Sequence, residues 1–332
     1  MAIVNKIDFA VVISVNHANP NGDPLNGNRP RQTSDRLGEI SDVALKRKLR
    51  NRLLAMGEGI FVQSDDNRVD EYRSLNDRFQ SACFASDEDI RKSACNKWFD
   101  VRAFGQVFAF KAKDKSKKTG NKKSKGTEGG LLFGGISMEG DETQNNGASD
   151  ENAGSVSIGI RGPVTIQSAY SLTPIVSESI QIAKSVNLET NTANPDKKDS
   201  DTMGMKHRVD SAVYVAYGAI TPQLASKTGF SDEDATKVKW ALQSLFEGDA
   251  SSARPEGSME VLHVVWCKHS SPCGQYSSAH VHRAIADSLN KCKDGTYSEE
   301  EIRTALKNLE IDFLPALEGE ELEQLPKRTE RK

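Results

Sequence analysis

Between Arg29 and Arg52 the sequence places eight cations (Arg29, Arg31, Arg36, Lys46, Arg47, Lys48, Arg50 and Arg52) against three acids, Asp35, Glu39 and Asp42. That is a local net charge of +5 in a chain whose formal net charge is −3. A patch so concentrated suits a run of phosphates better than one small anion, because a nucleic-acid backbone offers a negative charge every few ångströms. The patch opens in NPNGDPLNGNRPRQ (19–32), a loop of turn formers that exposes backbone donors and ends on Arg29 and Arg31. It continues in VALKRKLRNRLL (43–54). At about 100° per residue, Val43, Leu45, Leu49 and Leu53 define an inward arc, and Arg47, Lys48 and Arg52 point away from it. Lys46 and Arg50, one turn apart, fall within or beside the arc. Two like charges at that spacing near an apolar face cost free energy unless an anion answers them. They are therefore the sharper phosphate candidates, while the other three also read as solvated cations whose stems snorkel from a core face.

Other chemistries have weaker support. His263, Cys267 and His269 share strand parity and Cys273 lies nearby, a donor set zinc accepts. Same-side residues on a strand stand about 7 Å apart, however, and Val265 intervenes, so a buried Cys and core-edge His are the preferred reading. His280 and His282 read as helix surface. The Lys-rich stretch 111–125 reads as a solubilising loop, with non-specific duplex contact as the alternative. Five Cys with no CxxC exclude a disulfide framework and place the chain in a reducing cytoplasm. The N-terminal MAIVNKIDFAVVISV carries charges inside its apolar run and reads as a strand, not a signal peptide. No apolar run approaches the roughly 20 residues of a membrane span. Aromatics are 6% with no paired stacking aromatics, which argues against a lone single-strand RNA binder built as a stacking platform. No catalytic residue, metal or cofactor is expected.

The positioning elements follow from periodicity. IDFAVVISV (7–15) is a buried strand. Ser41 caps a helix over 42–55 with Asp42 near its positive end. Residues 58–100 are polar and mostly helical, and WFDVRAFGQVF (98–108) is a second apolar patch. Residues 111–125 hold eight Lys against one Asp, and 139–151 hold five acids and no base, so 111–156 reads as a disordered insertion. Over 175–188 a period of two sets Val176, Ile180, Ile182, Val186 and Leu188 on one side, a hairpin arm that returns through TMGMKHRVD (202–210) into the strand SAVYVAYGAIT (211–221). Ser231 and Asp234 form a capping box, with Phe230 placed for a hydrophobic staple, before a helix with Ala235, Val238, Leu242, Leu245 and Phe246 on its core face. A strand (258–267) and a short helix (278–291) follow, then a weakly ordered tail. Without insertions the order is strand, helix, two strands, helix, strand, the ferredoxin-like order shared by RNA-recognition folds.

These residues resemble a known family. NPNGDP (19–24), NRPR (28–31), SDVALKRKLRNRL (41–53), FDVRAFGQV (99–107), RGPV (161–164), TMGMKH (202–207), GFSDED (229–234) and SSAR (251–254) together are similar to the backbone subunit of the subtype I-C CRISPR surveillance complex, Cascade. That is the Cas-seven branch of the RAMP superfamily. The matches cover most of 3–110 and 157–290; the 111–156 insertion and the acidic tail depart from the pattern. The resemblance implies an α+β fold with an RRM-like palm (1–57, 157–172 and 211–294), a helical finger (58–110), a β-hairpin thumb (173–210) and a tail (295–332). It implies a non-catalytic crRNA-binding subunit stacked head to tail on the guide spacer, with guide bases presented to target DNA. Its partners would be crRNA, target DNA, neighbouring copies, and the large, small and crRNA-processing subunits. The implied RNA-binding residues are Arg29, Arg31, Lys46, Arg47, Arg50, Met203, Met205, Lys206, His207 and Arg254, the two Met as base wedges unless they are core filler. The alternative is a RAMP-type endoribonuclease using Asp23 or Asp35 in the first loop, although a turn Asp usually bonds its own backbone.

Overall fold

A computed structural model describes residues 1–82, 87–110, 156–183 and 203–327. In chain order the elements begin with β1 (Ile7–Ala18), β2 (Gly22–Asp23), a 3-10 turn (Pro24–Asn26), β3 (Arg29–Pro30), β4 (Leu37–Ile40) and α1 (Asp42–Ala55). Helices α2 (Leu75–Gln80), α3 (Asp87–Lys97) and α4 (Phe99–Phe104) lead into β5 (Gly105–Phe110) and β6 (Val156–Arg161). Then come β7 (Val164–Ile166), β8 (Ala169–Pro174), β9 (Ser177–Ala183), β10 (Met203–Ile220), α5 (Pro222–Thr228), α6 (Asp232–Gln243) and β11 (Met259–Lys268). The chain closes with α7 (Ser278–Cys292), α8 (Glu299–Ala305), β12 (Glu310–Pro315) and α9 (Gly319–Glu323).

The β-branched run that predicts β1 makes it the central strand. It pairs antiparallel with β10 from Ile7↔Ile220 to Ala18↔Val209, and with β11 from Ile7↔Lys268 to Val15↔Met259. The main sheet runs β12-β11-β1-β10-β8-β4, with β7 and β9 also on β10, and every pairing is antiparallel. Its two faces bury different helices. Phe9, Val11, Ile13 and Val15 pack with Leu45, Leu49 and Leu53 of α1 and with Ala235, Val238 and Leu242 of α6. Ala10 and Val12 pack with Val281, Ile285 and Leu289 of α7 and with Ile302 and Leu306 around α8. A third cluster joins Phe61, Trp98 and Phe108, with Phe61 ring centroids 4.7 Å and 5.2 Å from the other two. Each fully buried large side chain of this kind contributes about 1.5–3 kcal/mol relative to exposure.

The capping predictions hold. Ser41 Oγ accepts from Ala44 N, and Ser231 and Asp234 form the reciprocal capping box. Three expectations are corrected. The 295–332 tail is not weakly ordered through its first half: α8 and β12 extend the fold, with Ile302, Leu306 and Ile311 buried. Its acids Glu299, Glu300 and Glu301 occupy the first turn of α8, where they complement the helix dipole. The stretch 157–172 is not one palm strand, because β6 pairs with β5 as a separate ribbon and only from β7 does the chain join the main sheet. Finally, the α1 arc is rotated: Val43 is exposed and Lys48 is buried. Residues 111–155 of the expected insertion and 184–202 of the expected thumb lie outside the described residues; Phe110 and Val156, which flank the former, pair directly.

Candidate nucleic-acid interface

The Asn/Gly/Pro loop is a folded unit. Asn19 Nδ2 donates to Asn28 O (2.7 Å), and Asp23 Oδ1 accepts from Leu25 N (3.2 Å). Asn21 Oδ1 accepts from both Ser41 N (2.9 Å) and Ser41 Oγ (2.8 Å), which fastens the loop to the start of α1. Gly27 takes φ +59°, a left-handed conformation that costs glycine little. The unit presents Leu25 almost fully exposed at its tip. Arg29 is exposed and has no side-chain partner among the described residues. Arg31 is half-buried; its Nη2 lies 3.8 Å from Asp23 Oδ1, beyond hydrogen-bond reach, and its Nε is buried without a partner. A buried donor with no acceptor costs about 1–3 kcal/mol, so this is a position where an incoming acceptor gains.

The cations of α1 are used differently from the expectation. Lys46 Nζ lies 3.0 Å from Asp42 Oδ2, an i,i+4 pair at the surface. Arg50 Nε donates to Asp100 Oδ2 (3.0 Å) and its guanidinium sits over the Phe104 ring. Asp100 is itself buried and accepts from Phe61 N (2.7 Å) and Val62 N (3.0 Å). Arg47 Nη1 donates to Val62 O (2.8 Å), and burial followed by the neighbouring Arg50 charge pulls its pKa down. Lys48 is ion-paired with Asp249; burial lowers its pKa despite that partner, and Arg254 adds to the lowering. Arg52 Nε donates to Ser244 Oγ (2.8 Å). The anions that answer Lys46 and Arg50 are therefore supplied by the chain. No spacing rule finds Asp100 or Asp249, since each lies 50 or more residues from its partner.

Arg254 Nε lies 3.4 Å from Asp249 Oδ2, and Ala253 O accepts from Asn19 N, so this turn abuts the first loop. Met203, Met205, Lys206 and His207 lie apart from these, on the β9–β10 arm. Met203 and Met205 are exposed at 68% and 55%, so they are not core filler. They share one arm face with Gln181, whose Nε2 reaches Met203 Sδ, and with Ser179, whose Oγ bonds His207 Nδ1 (2.8 Å). Lys206, opposite Ile180, lies on the other face. Both faces of the arm thus carry exposed apolar groups, with Ile182 and Val176 opposite the methionines. The weighed metal set does not converge: His263 packs edge-on against Tyr297 at 5.2 Å, and His269 Nε2 bonds Asp8 Oδ2 (2.8 Å). Cys267 is buried, and that burial pushes its thiol up to about 12.

A family model for CRISPR-associated protein Cas7 matches residues 5–313. The chain belongs to that family. A CRISPR-associated protein Cas7 from Haloferax volcanii (strain DS2) is 32% identical over 121 residues, which is 35% of this chain and 36% of the relative. The alignment thus spans little more than a third of that relative's length. Two solved chains, from a CRISPR RNA-guided surveillance complex and from the same kind of complex in a pre-nicking state, match 98% of this family member. Their identities are 12% and 13%, the TM-scores 0.43 and 0.44, and the shares of each solved chain covered 95% and 96%. No described helix is long and apolar enough to cross a membrane.

Proposed function

We propose that this chain is the non-catalytic backbone subunit of a subtype I-C Cascade, holding crRNA by its phosphates while the bases stay free to pair with target DNA. The observation that carries the reading is the family match across 5–313. In this reading β11, β1, β10 and β7–β8, with α1 and α6 on one face, form an RRM-like palm; α2, α3 and α4, with the β5–β6 ribbon, form the finger; β9 and the first half of β10 form the thumb. Copies stack head to tail along the guide, capped by the large, small and crRNA-processing subunits, in the cytoplasm. A guide whose sequence changes with each spacer must be held by shape and charge, not by base edges.

In this reading the residue roles divide by how each side chain is paired. Exposed Arg29 and half-buried Arg31 of the loop grip phosphates, and Lys46 at the helix start reaches one by exchanging its surface pair with Asp42. Met203 and Met205 wedge against a base from the arm, with Lys206 and His207 beside them. Arg47, Arg50 and Arg254 are bonded within the chain; they fix the shape of this surface and act on RNA through the summed positive field. Asp23 Oδ1 accepts from Leu25 N within its own turn, which favours the non-catalytic reading over the nuclease one. The test is RNA binding by an Arg29→Ala/Arg31→Ala variant across several unrelated spacers. Affinity is expected to fall by a similar factor for all of them, and the salt slope to flatten by about one to two phosphate equivalents. Wild-type affinity with a wild-type slope removes the loop from the RNA site.

A further inference from the structure

At the root of the arm three strands bring metal-ligating side chains together. Between the Asn16↔Ser211 and Ala18↔Val209 pairs, His17 of β1 faces Asp210 of β10, with Nδ1 3.3 Å from Oδ1. Glu178 of β9 completes the group, and one ligand atom from each of the three lies within 4.8 Å of the others. We propose that His17, Glu178 and Asp210 form a divalent-metal site of the zinc class, which nothing in the RNA-binding reading requires.

The donor set and its spacing point to this chemistry. One imidazole nitrogen and two carboxylate oxygens suit Zn2+, with a fourth position left to water. With metal–ligand bonds of about 2.0–2.1 Å, neighbouring tetrahedral ligands stand roughly 3.3 Å apart. That is the His17–Asp210 spacing already present. Two carboxylates this close repel each other, and one nearby guanidinium answers only one of them: Arg208 Nε donates to Glu178 Oε2 at 2.8 Å. That bond leaves the second Glu178 oxygen available and orients the carboxylate, as hydrogen-bonded outer partners do for metal ligands. Asp210 has no side-chain partner besides His17 among the described residues. All three side chains are solvent-accessible, which gives an ion an entry path and makes the site exchangeable. A bound ion would tie β9 and β10 to the end of β1, just before the loop that carries Arg29 and Arg31.

The experiment uses the full-length chain in its RNA-bound form, titrated with Co2+ and then Zn2+. One equivalent of Co2+ is expected to give visible d–d absorption that Zn2+ abolishes. His17→Ala and Asp210→Asn, both surface changes, should each weaken Zn2+ binding tenfold or more, whereas His263→Ala/Cys273→Ala should leave it unchanged. Zn2+ should also slow amide exchange in 177–183 and 203–210 of the wild type and not of His17→Ala. No stoichiometric binding by the wild type, binding unaffected by both variants, or loss of binding in His263→Ala/Cys273→Ala overturns the proposal. The RNA-binding test above does not depend on any of these outcomes.

Discussion

Arg50 and Asp100 show how one residue pair sets the shape of a surface. Asp100 holds Phe61 N, Val62 N and Arg50 Nε, so it ties the segment after α1, the third core cluster and α1 itself into one knot. Asp100→Asn or Arg50→Ala breaks a buried pair by removing one partner, and either is expected to cost about 3–5 kcal/mol in denaturant unfolding. Lys46→Ala removes a surface i,i+4 pair and is expected to cost about 0.3–0.5 kcal/mol, so a stability difference between the two positions checks the assignment. A second buried acid, Asp8, lies in the centre of the sheet. His269 Nδ1 accepts from Gln275 N, so its Nε2 carries the hydrogen that bonds Asp8, and Lys6 Nζ lies 3.1 Å away. Burial opposes ionisation of Asp8, but the hydrogen bonds from His269 and Ser278 and the charge of Lys6 outweigh it, leaving its pKa below 3.8. A depressed carboxylate stabilises the fold fully above its ordinary value and loses that contribution as pH falls through the folded value. Melting temperature is therefore expected to drop steeply at acid pH, and Asp8→Asn to flatten that acid limb while lowering the plateau. An unchanged acid limb in Asp8→Asn would assign the acid sensitivity to other carboxylates.

At the scale of elements, β10 is the shared beam. It serves as the return strand of the arm and then, without a break, as a central strand of the sheet, across 18 residues. Arm and sheet are consequently coupled through one stretch of backbone. The strand needs Gly218 where it crosses β1 and β7: an added Cβ would collide with the Phe9 ring and would lie 2.6 Å from Thr165 O. Phe9 is fully buried, so it has nowhere to turn. Gly218→Ala is expected to destabilise the chain by about 1–3 kcal/mol through overpacking, measurable by thermal or chemical unfolding. A neutral result would mean that the β1–β10 interface yields more readily than close packing allows. The element boundaries themselves were largely legible. The β-branched run specified β1, the Ser41 cap set the start of α1, and the Ser231 box set the start of α6, because each of these signals acts within a few residues.

At the scale of the whole molecule, the sheet is covered on both faces, and the second cover comes from the end of the chain. Ile302, Leu306 and Ile311 close the cluster over Ala10, Val12 and Val265. Removing three such side chains forfeits about 1.5–3 kcal/mol each, comparable with the whole 5–15 kcal/mol stability of a domain. Truncation after residue 294 is therefore expected to yield unfolded or aggregated protein by circular dichroism and size exclusion; a soluble, cooperatively folding product would show the cover to be dispensable. The sequence alone determined the central strand, the capped helices, the alternating arm and the motifs that place the chain in its family, because periodicity, caps and turn residues act locally. It misjudged the C-terminal segment, whose few apolar residues are diluted among acids and become meaningful only against α7 and β11. It also could not say which anion each cation of α1 meets. Arg50 reads as a phosphate ligand, and Lys48 as a solvated cation, until the fold brings Asp100 and Asp249 beside them. A charge reveals the sign of its partner from the sequence, but only tertiary packing decides whether that partner belongs to the chain or arrives from outside.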